Sequence, residues 1–147
     1  MKTINRHVSL LFRMGERFLN RELAGSGVSS GTAPLLLELR DGKHCNLASL
    51  AMAAGVDKAY ITRAVQSLER AGYVTVTVAA EDRRSIAVTL TGEGRVVVGR
   101  VEAAMHAWLA IVCHGVAQAD LDTVVAVLDR FYANARGFLA EWSGARS

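Results

Sequence analysis

The stretch NLASLAMAAGVDKAYITRAVQSLERAGYV, residues 46–74, narrows the folds open to this chain more than any other. It holds two short helical patterns separated by one glycine. In the first, Asn46 offers a side-chain oxygen to the free amides of a helix start, and Leu47, Leu50 and Ala51 face inward. Gly55 ends that helix with a residue that tolerates positive φ. In the second, Asp57 caps the start and sets an acid against the positive end of the helix. Ile61, Val65 and Leu68 then share one face with Ala64 beside them, while Lys58, Thr62, Arg63 and Gln66 point elsewhere. Gly72 stops the helix. Helix, glycine turn, helix is the helix-turn-helix pattern.

The period changes immediately afterwards. Val74, Val76 and Val78 alternate with Thr75 and Thr77, and Ile86, Val88 and Leu90 alternate with Ala87 and Thr89. A period of two predicts two half-buried strands joined by a loop over residues 79–85. A helix-turn-helix followed by such a hairpin is a winged helix. Helical patterns flank it on both sides. Residues 4–24 carry an apolar stripe through Val8, Leu11, Phe12, Gly15, Phe18 and Leu19, with Arg6, Arg13, Arg17 and Arg21 along another face. The segment GSGVSSG breaks this helix, and a second is predicted over 30–40, with Ser29 as its cap and Pro34 tolerated near its first turn. DGKH, residues 41–44, reads as a turn. Long helices are predicted over 92–114, through Val97, Val101, Met105 and Trp108, and over 118–141, through Leu121, Val125, Leu128, Phe131 and Tyr132. Their apolar faces are wider than a small domain needs, which predicts a subunit interface. The expected fold is mainly α with a small β-wing. It forms one unit in which 1–28 and 115–147 are dimerisation helices, 29–91 the winged helix-turn-helix and 92–114 a long connecting helix.

Other classes find little support. Apolar residues are 51% of the 147, ample for one core. No apolar run is long enough for a membrane span, and the N-terminus lacks the apolar core and cleavage site of a signal peptide, so a cytoplasmic protein is expected. Cys45 and Cys113 form no CxxC pair and are expected as thiols. His7, His44, His106 and His114 are scattered, and no metal or other cofactor is expected. The chain contains no GxSxG, P-loop or HExxH motif, so no enzyme is expected. Net charge is +3, divided as +3 over residues 1–40, +1 over 41–90 and −1 over 91–147. That balance permits a polyanionic partner without demanding one.

The placement of the charges is more informative. The major groove of B-DNA is about 12 Å wide and accepts a helix. On the second helix, Arg63 and Gln66 suit bidentate bonds to base edges, and Thr62 suits a thymine methyl or a phosphate. Tyr60, through its hydroxyl, and Lys58, in the first turn, suit the DNA backbone. A hairpin beside a reading helix reaches the adjacent minor groove, where Arg84 would meet enhanced negative potential. Asp82 would hold that guanidinium by charge-assisted hydrogen bonds, and Arg83 would touch the backbone. The plainer reading of Asp82 and Arg84 is a solvated ion pair worth little.

The segment EDRRSIAVTLTGEG resembles the wing and following helix start of the MarR family, multiple-antibiotic-resistance-type regulators, whose wing commonly reads D-x-R, a strand, then L-T-x-x-G. Asp82, Arg84, Leu90, Thr91 and Gly94 fit that pattern, and residues 46–74 fit the family's helix-turn-helix layout. The resemblance implies a homodimer that binds a palindromic double-stranded operator, most often as a repressor, and releases it when a small molecule or oxidant acts. In the family, ligands lodge between the first helices and the dimer helices, so Arg13 or Arg17 is a candidate to hold a small aromatic or anionic effector. The Arg6, Arg13, Arg17 and Arg21 row equally reads as a solvated or subunit-bridging face. Cys45, beside Lys43 and His44, is a candidate redox sensor set against ordinary buried packing. DKAY, residues 57–60, departs from the family by placing bulky Tyr60 where many relatives carry small residues. Two other readings stay open: a winged helix that binds protein rather than DNA, and a dimeric binder of small anions.

Overall fold

Among the residues that the computed structural model describes (2–41, 45–78 and 86–144), the order is α1 (Lys2–Glu22), α2 (Ala33–Glu38), β1 (Cys45–Asn46), α3 (Leu47–Ala54), α4 (Lys58–Arg70), β2 (Val74–Val78), β3 (Ile86–Leu90), α5 (Gly92–Val112) and α6 (Gln118–Gly144). The chain divides into two compact units, residues 1–109 and 110–147.

The core of the first unit is assembled from α2, α3, α4, β2, β3 and α5 with the segment between α1 and α2. Leu35, Leu36 and Leu39 around α2, Leu50 of α3 and Ile61 and Leu68 of α4 are buried. Val74 of β2, Val88 of β3 and Val101 of α5 close the cluster. The predicted stripe of α4 therefore faces inward, as do Val74 and Val76 of β2 and Ile86, Val88 and Leu90 of β3. Burying a Leu or Ile side chain contributes roughly 1.5–3 kcal/mol, so the orientation of α4 is set by its apolar face rather than by helix propensity.

Local chemistry fixes the ends of the paired helices. The Asn46 side chain accepts the Ser49 N–H at 2.7 Å, and the Asp57 side chain accepts the Tyr60 N–H at 2.7 Å. Gly55 and Gly72 sit at φ +66° and +80°. After α4 the Tyr73 N–H reaches the Leu68 carbonyl at 3.0 Å and the Gly72 N–H reaches Glu69 at 2.9 Å, the double bond of a left-handed helix stop.

Two expectations are corrected. The helix predicted over 30–40 spans only Ala33–Glu38. Ser29 and Thr32 bond reciprocally first, Ser29 N–H to Thr32 Oγ1 at 2.9 Å and Thr32 N–H to Ser29 Oγ at 3.3 Å. Ser29 thus caps a turn, and the helix begins beside Pro34. In addition, Cys45 and Asn46, taken to lead straight from turn to helix, form a strand that pairs antiparallel with Val88 and Ala87. The sheet is three-stranded in the order β1-β3-β2.

In the second unit α6 starts with its own i,i+4 bond, Gln118 Nε2 to Asp122 Oδ1 at 2.8 Å. It leaves Val124, Val125, Leu128, Phe131 and Tyr132 exposed at helical spacing.

Candidate nucleic-acid interface and adjoining cavity

Helix α4 has two chemically distinct sides. Ile61, Ala64, Val65 and Leu68 are buried, whereas Lys58, Arg63, Gln66 and Arg70 are exposed. At about 100° per residue the exposed set, with Thr62, occupies an arc of roughly 140° opposite the core. The Lys58 and Arg63 side chains have no hydrogen-bond or ion-pair partner among the described residues, so their donors face solvent. Thr62 Oγ1 donates back to the Lys58 carbonyl at 2.8 Å, which leaves its methyl group and lone pairs outward. Arg70, overlooked in the sequence, lies on the same face one turn after Gln66 and donates from Nε to the Gln66 carbonyl at 3.3 Å. The i,i+4 spacing from Gln66 was the signal for it.

Tyr60 behaves differently from the expectation of a DNA-backbone contact. Its ring is half-buried, and its hydroxyl donates inward to the Gly31 carbonyl at 3.2 Å.

The hairpin is clamped at its base. Strands β2 and β3 pair from Val74↔Leu90 to Val78↔Ile86. Thr91 N–H donates to the Tyr73 carbonyl at 3.0 Å, while Thr91 Oγ1 donates to Gly72 at 2.7 Å and accepts the Gly94 N–H at 2.9 Å. A side chain at Gly94 would run into the Tyr73 carbonyl. The Leu90, Thr91 and Gly94 motif is therefore the joint that seats α5 against the hairpin. Asp82, Arg83 and Arg84 lie outside the described residues.

A cavity of about 370 Å³ opens behind α4. Its apolar wall is built from Leu11, Phe12 and Leu19 of α1, Pro34 of α2, Val56 of the turn between α3 and α4, and Trp108 of α5. Gly15, Glu16, Ser30, Gly31 and Tyr60 complete the lining. Trp108 packs against Phe18 with ring centroids 5.6 Å apart. Arg13 and Arg17 are exposed on α1 and do not line this cavity. Among the described residues no group of three His, Cys, Asp or Glu side chains could hold a metal ion, and no helix is long and apolar enough to cross a membrane. Cys113 is a half-buried free thiol.

Two helices joined by a glycine turn, a polar outer face on the second and a clamped hairpin after it define a winged helix-turn-helix protein. The MarR family model matches residues 30–86, from the turn before α2 to the first residue of β3. The HTH-type transcriptional repressor YetL of Bacillus subtilis is 39% identical over 74 residues, covering 49% of this chain and 44% of YetL, less than half of that relative's length. The crystal structure of a MarR transcriptional regulator from Methanosarcina mazei Go1 superposes with a TM-score of 0.86 at 25% identity, covering 94% of this chain and 99% of that one. BpsR of Bordetella bronchiseptica, whose DNA binding is regulated by 6-hydroxynicotinic acid, shares the fold with a TM-score of 0.78 at 20% identity, over 88% of this chain and 92% of its own. Over residues 30–86 the chain is similar to the MarR family, and its fold is that of the solved MarR regulators.

Proposed function

We propose that this protein is a sequence-specific DNA-binding transcriptional regulator, a homodimeric repressor released from a palindromic operator by a small-molecule effector. The observation that carries this reading is the outer face of α4, a helix with capped ends and a buried inner stripe that holds Lys58, Arg63 and Gln66 toward solvent. The role is regulatory, not enzymatic, and is carried out in the cytoplasm. Thr62, Arg63 and Gln66 read base edges in the major groove, and Lys58 and Arg83 meet the backbone. Arg84, oriented by Asp82, enters the minor groove. Residues 29–91 form the reading module, 92–114 the connector, and 1–28 with 115–147 the pairing surface. Support for pairing comes from apolar side chains exposed on both segments, among them Val8 and Phe12 of α1 and Val125, Leu128 and Phe131 of α6. A two-fold dimer must set its reading helices about one DNA turn apart, roughly 34 Å, and induction would change that spacing. The regulation of BpsR by 6-hydroxynicotinic acid supports a small-molecule effector, and the cavity behind α4 has the volume to hold one.

Fluorescence anisotropy on the DNA upstream of the protein's own gene and on scrambled duplex, at two salt concentrations, tests this reading. Tighter binding to the upstream DNA, a salt slope of ~0.9 per phosphate neutralised and a clear loss in Arg84→Ala are expected. Weak, sequence-blind binding that ignores the substitution would refute a DNA-reading wing.

A further inference from the structure

We infer that the cavity behind α4 takes a small aromatic cation held by Glu16, and that the Tyr60–Gly31 hydrogen bond transmits its occupancy to α4, an inference that rests on α4 being the DNA-reading helix. The cavity wall is apolar and partly aromatic, and its volume of about 370 Å³ has room for one or two fused rings. Among the lining residues Glu16 carries the one charged side chain. That carboxylate is half-buried and has neither an ion pair nor a side-chain hydrogen bond among the described residues. A carboxylate at the wall of an apolar cavity, with no partner of its own, offers an ammonium or ring N–H⁺ a charge-assisted bond. Phe12 and Trp108 add aromatic faces that attract a cation and stack on a flat ring. A carboxylate ligand meets the opposite conditions. Glu16 repels it, and the arginines that would have held it, Arg13 and Arg17, stand outside the lining.

Tyr60 supplies the coupling. It is both a cavity wall and a residue in the first turn of α4, and its hydroxyl bonds the Gly31 carbonyl at 3.2 Å. A side chain at position 31 would collide with that hydroxyl, so glycine there is what lets the tyrosine approach. A ring entering beside Tyr60 displaces the hydroxyl from Gly31 and frees the first turn of α4 from the segment before α2.

The test uses 1-(aminomethyl)naphthalene and its carboxylate counterpart 1-naphthoate as probes. Binding is read from Trp108 emission in a Trp142→Phe background, without DNA. The amine is expected to bind at least about tenfold more tightly than naphthoate, the scale of one charge-assisted hydrogen bond. Glu16→Gln is expected to remove that preference. Equal or tighter binding of naphthoate by the wild-type side chain, or an unchanged preference in Glu16→Gln, overturns the ligand class. Amide hydrogen exchange over residues 58–62 reads the coupling. The amine is expected to speed exchange there in the wild type and to leave Tyr60→Phe unchanged; an equal change in both overturns the role of Tyr60. Because neither readout contains DNA, failure of the operator assay would refute the DNA-reading function while leaving these two results to stand or fall separately.

Discussion

Replacing Gly94 by alanine sets two opposed effects against each other at one atom. Alanine in a helix is favoured over glycine by up to about 1 kcal/mol. The added Cβ, however, would run into the Tyr73 carbonyl and sit 3.1 Å from Leu90 Cδ2. The carbonyl is backbone and is held by the Thr91 N–H at 3.0 Å, next to the 2.7 Å bond from Thr91 Oγ1 to Gly72. Relief requires α5 to move away from the hairpin base and give up both bonds. Two hydrogen bonds at about 1 kcal/mol each, with an overpacking cost of about 1–3 kcal/mol, exceed the helix gain and leave a net loss of about 2–4 kcal/mol. At this chain size that lowers Tm by roughly 5–15 °C. Gly99 is the internal control. It lies on the same helix and is exposed, and an added Cβ there meets nothing within 4 Å. Gly99→Ala therefore keeps the helix gain alone and is expected to raise Tm by about 2–4 °C. Thermal unfolding followed by circular dichroism, at equal protein concentration, gives both values. If Gly94→Ala raises Tm in step with Gly99→Ala, the joint described at the hairpin base is not what fixes α5.

Further substitutions probe the reading helix and the subunit interface. Asp57→Ala removes the bond to the Tyr60 N–H and is expected to cost about 1 kcal/mol in urea unfolding, whereas Asp57→Asn keeps most of the cap; equal losses would contradict the capping role. Across a randomised operator library, Gln66→Ala is expected to shift base preference and Arg83→Ala to weaken all sequences alike, and equal, uniform losses would refute that division. Phe131→Glu, at a position 46% exposed on α6, is expected to halve the mass seen by light scattering at micromolar protein; an unchanged dimer would place the interface elsewhere.

What was legible in the sequence was mostly local. Asn46, Asp57, Gly55 and Gly72 announce helix ends because each acts on amides or carbonyls within a few residues. The period of α4 separated its core face from its outer face for the same reason. Strand β1 escaped because two residues carry no period and their partners lie more than forty positions away. The start of α2 was displaced because Ser29 and Thr32 complete a turn of their own before the helix. Tyr60 falls at the border between the two faces of α4, and only Gly31, on another segment, decides that its hydroxyl turns inward. Glu16 read as one more polar residue on α1, because the apolar wall that gives it meaning comes from four separate stretches of chain.

The clamp at the foot of the hairpin also bears on how such a protein diversifies. Thr91 bonds to Tyr73 and Gly72, and β2 and β3 pair up to Val78↔Ile86, so the ends of the intervening seven-residue segment are brought together before that segment contributes anything. The entropy of joining two fixed chain ends grows only with the logarithm of the length between them, about 0.6 kcal/mol for each doubling. Residues 79–85 can therefore lengthen or change composition at small thermodynamic cost, while the helices behind them keep their register. Under the proposed DNA-reading function, groove preference and fold stability fall on separate parts of the chain, so the one can change without disturbing the other.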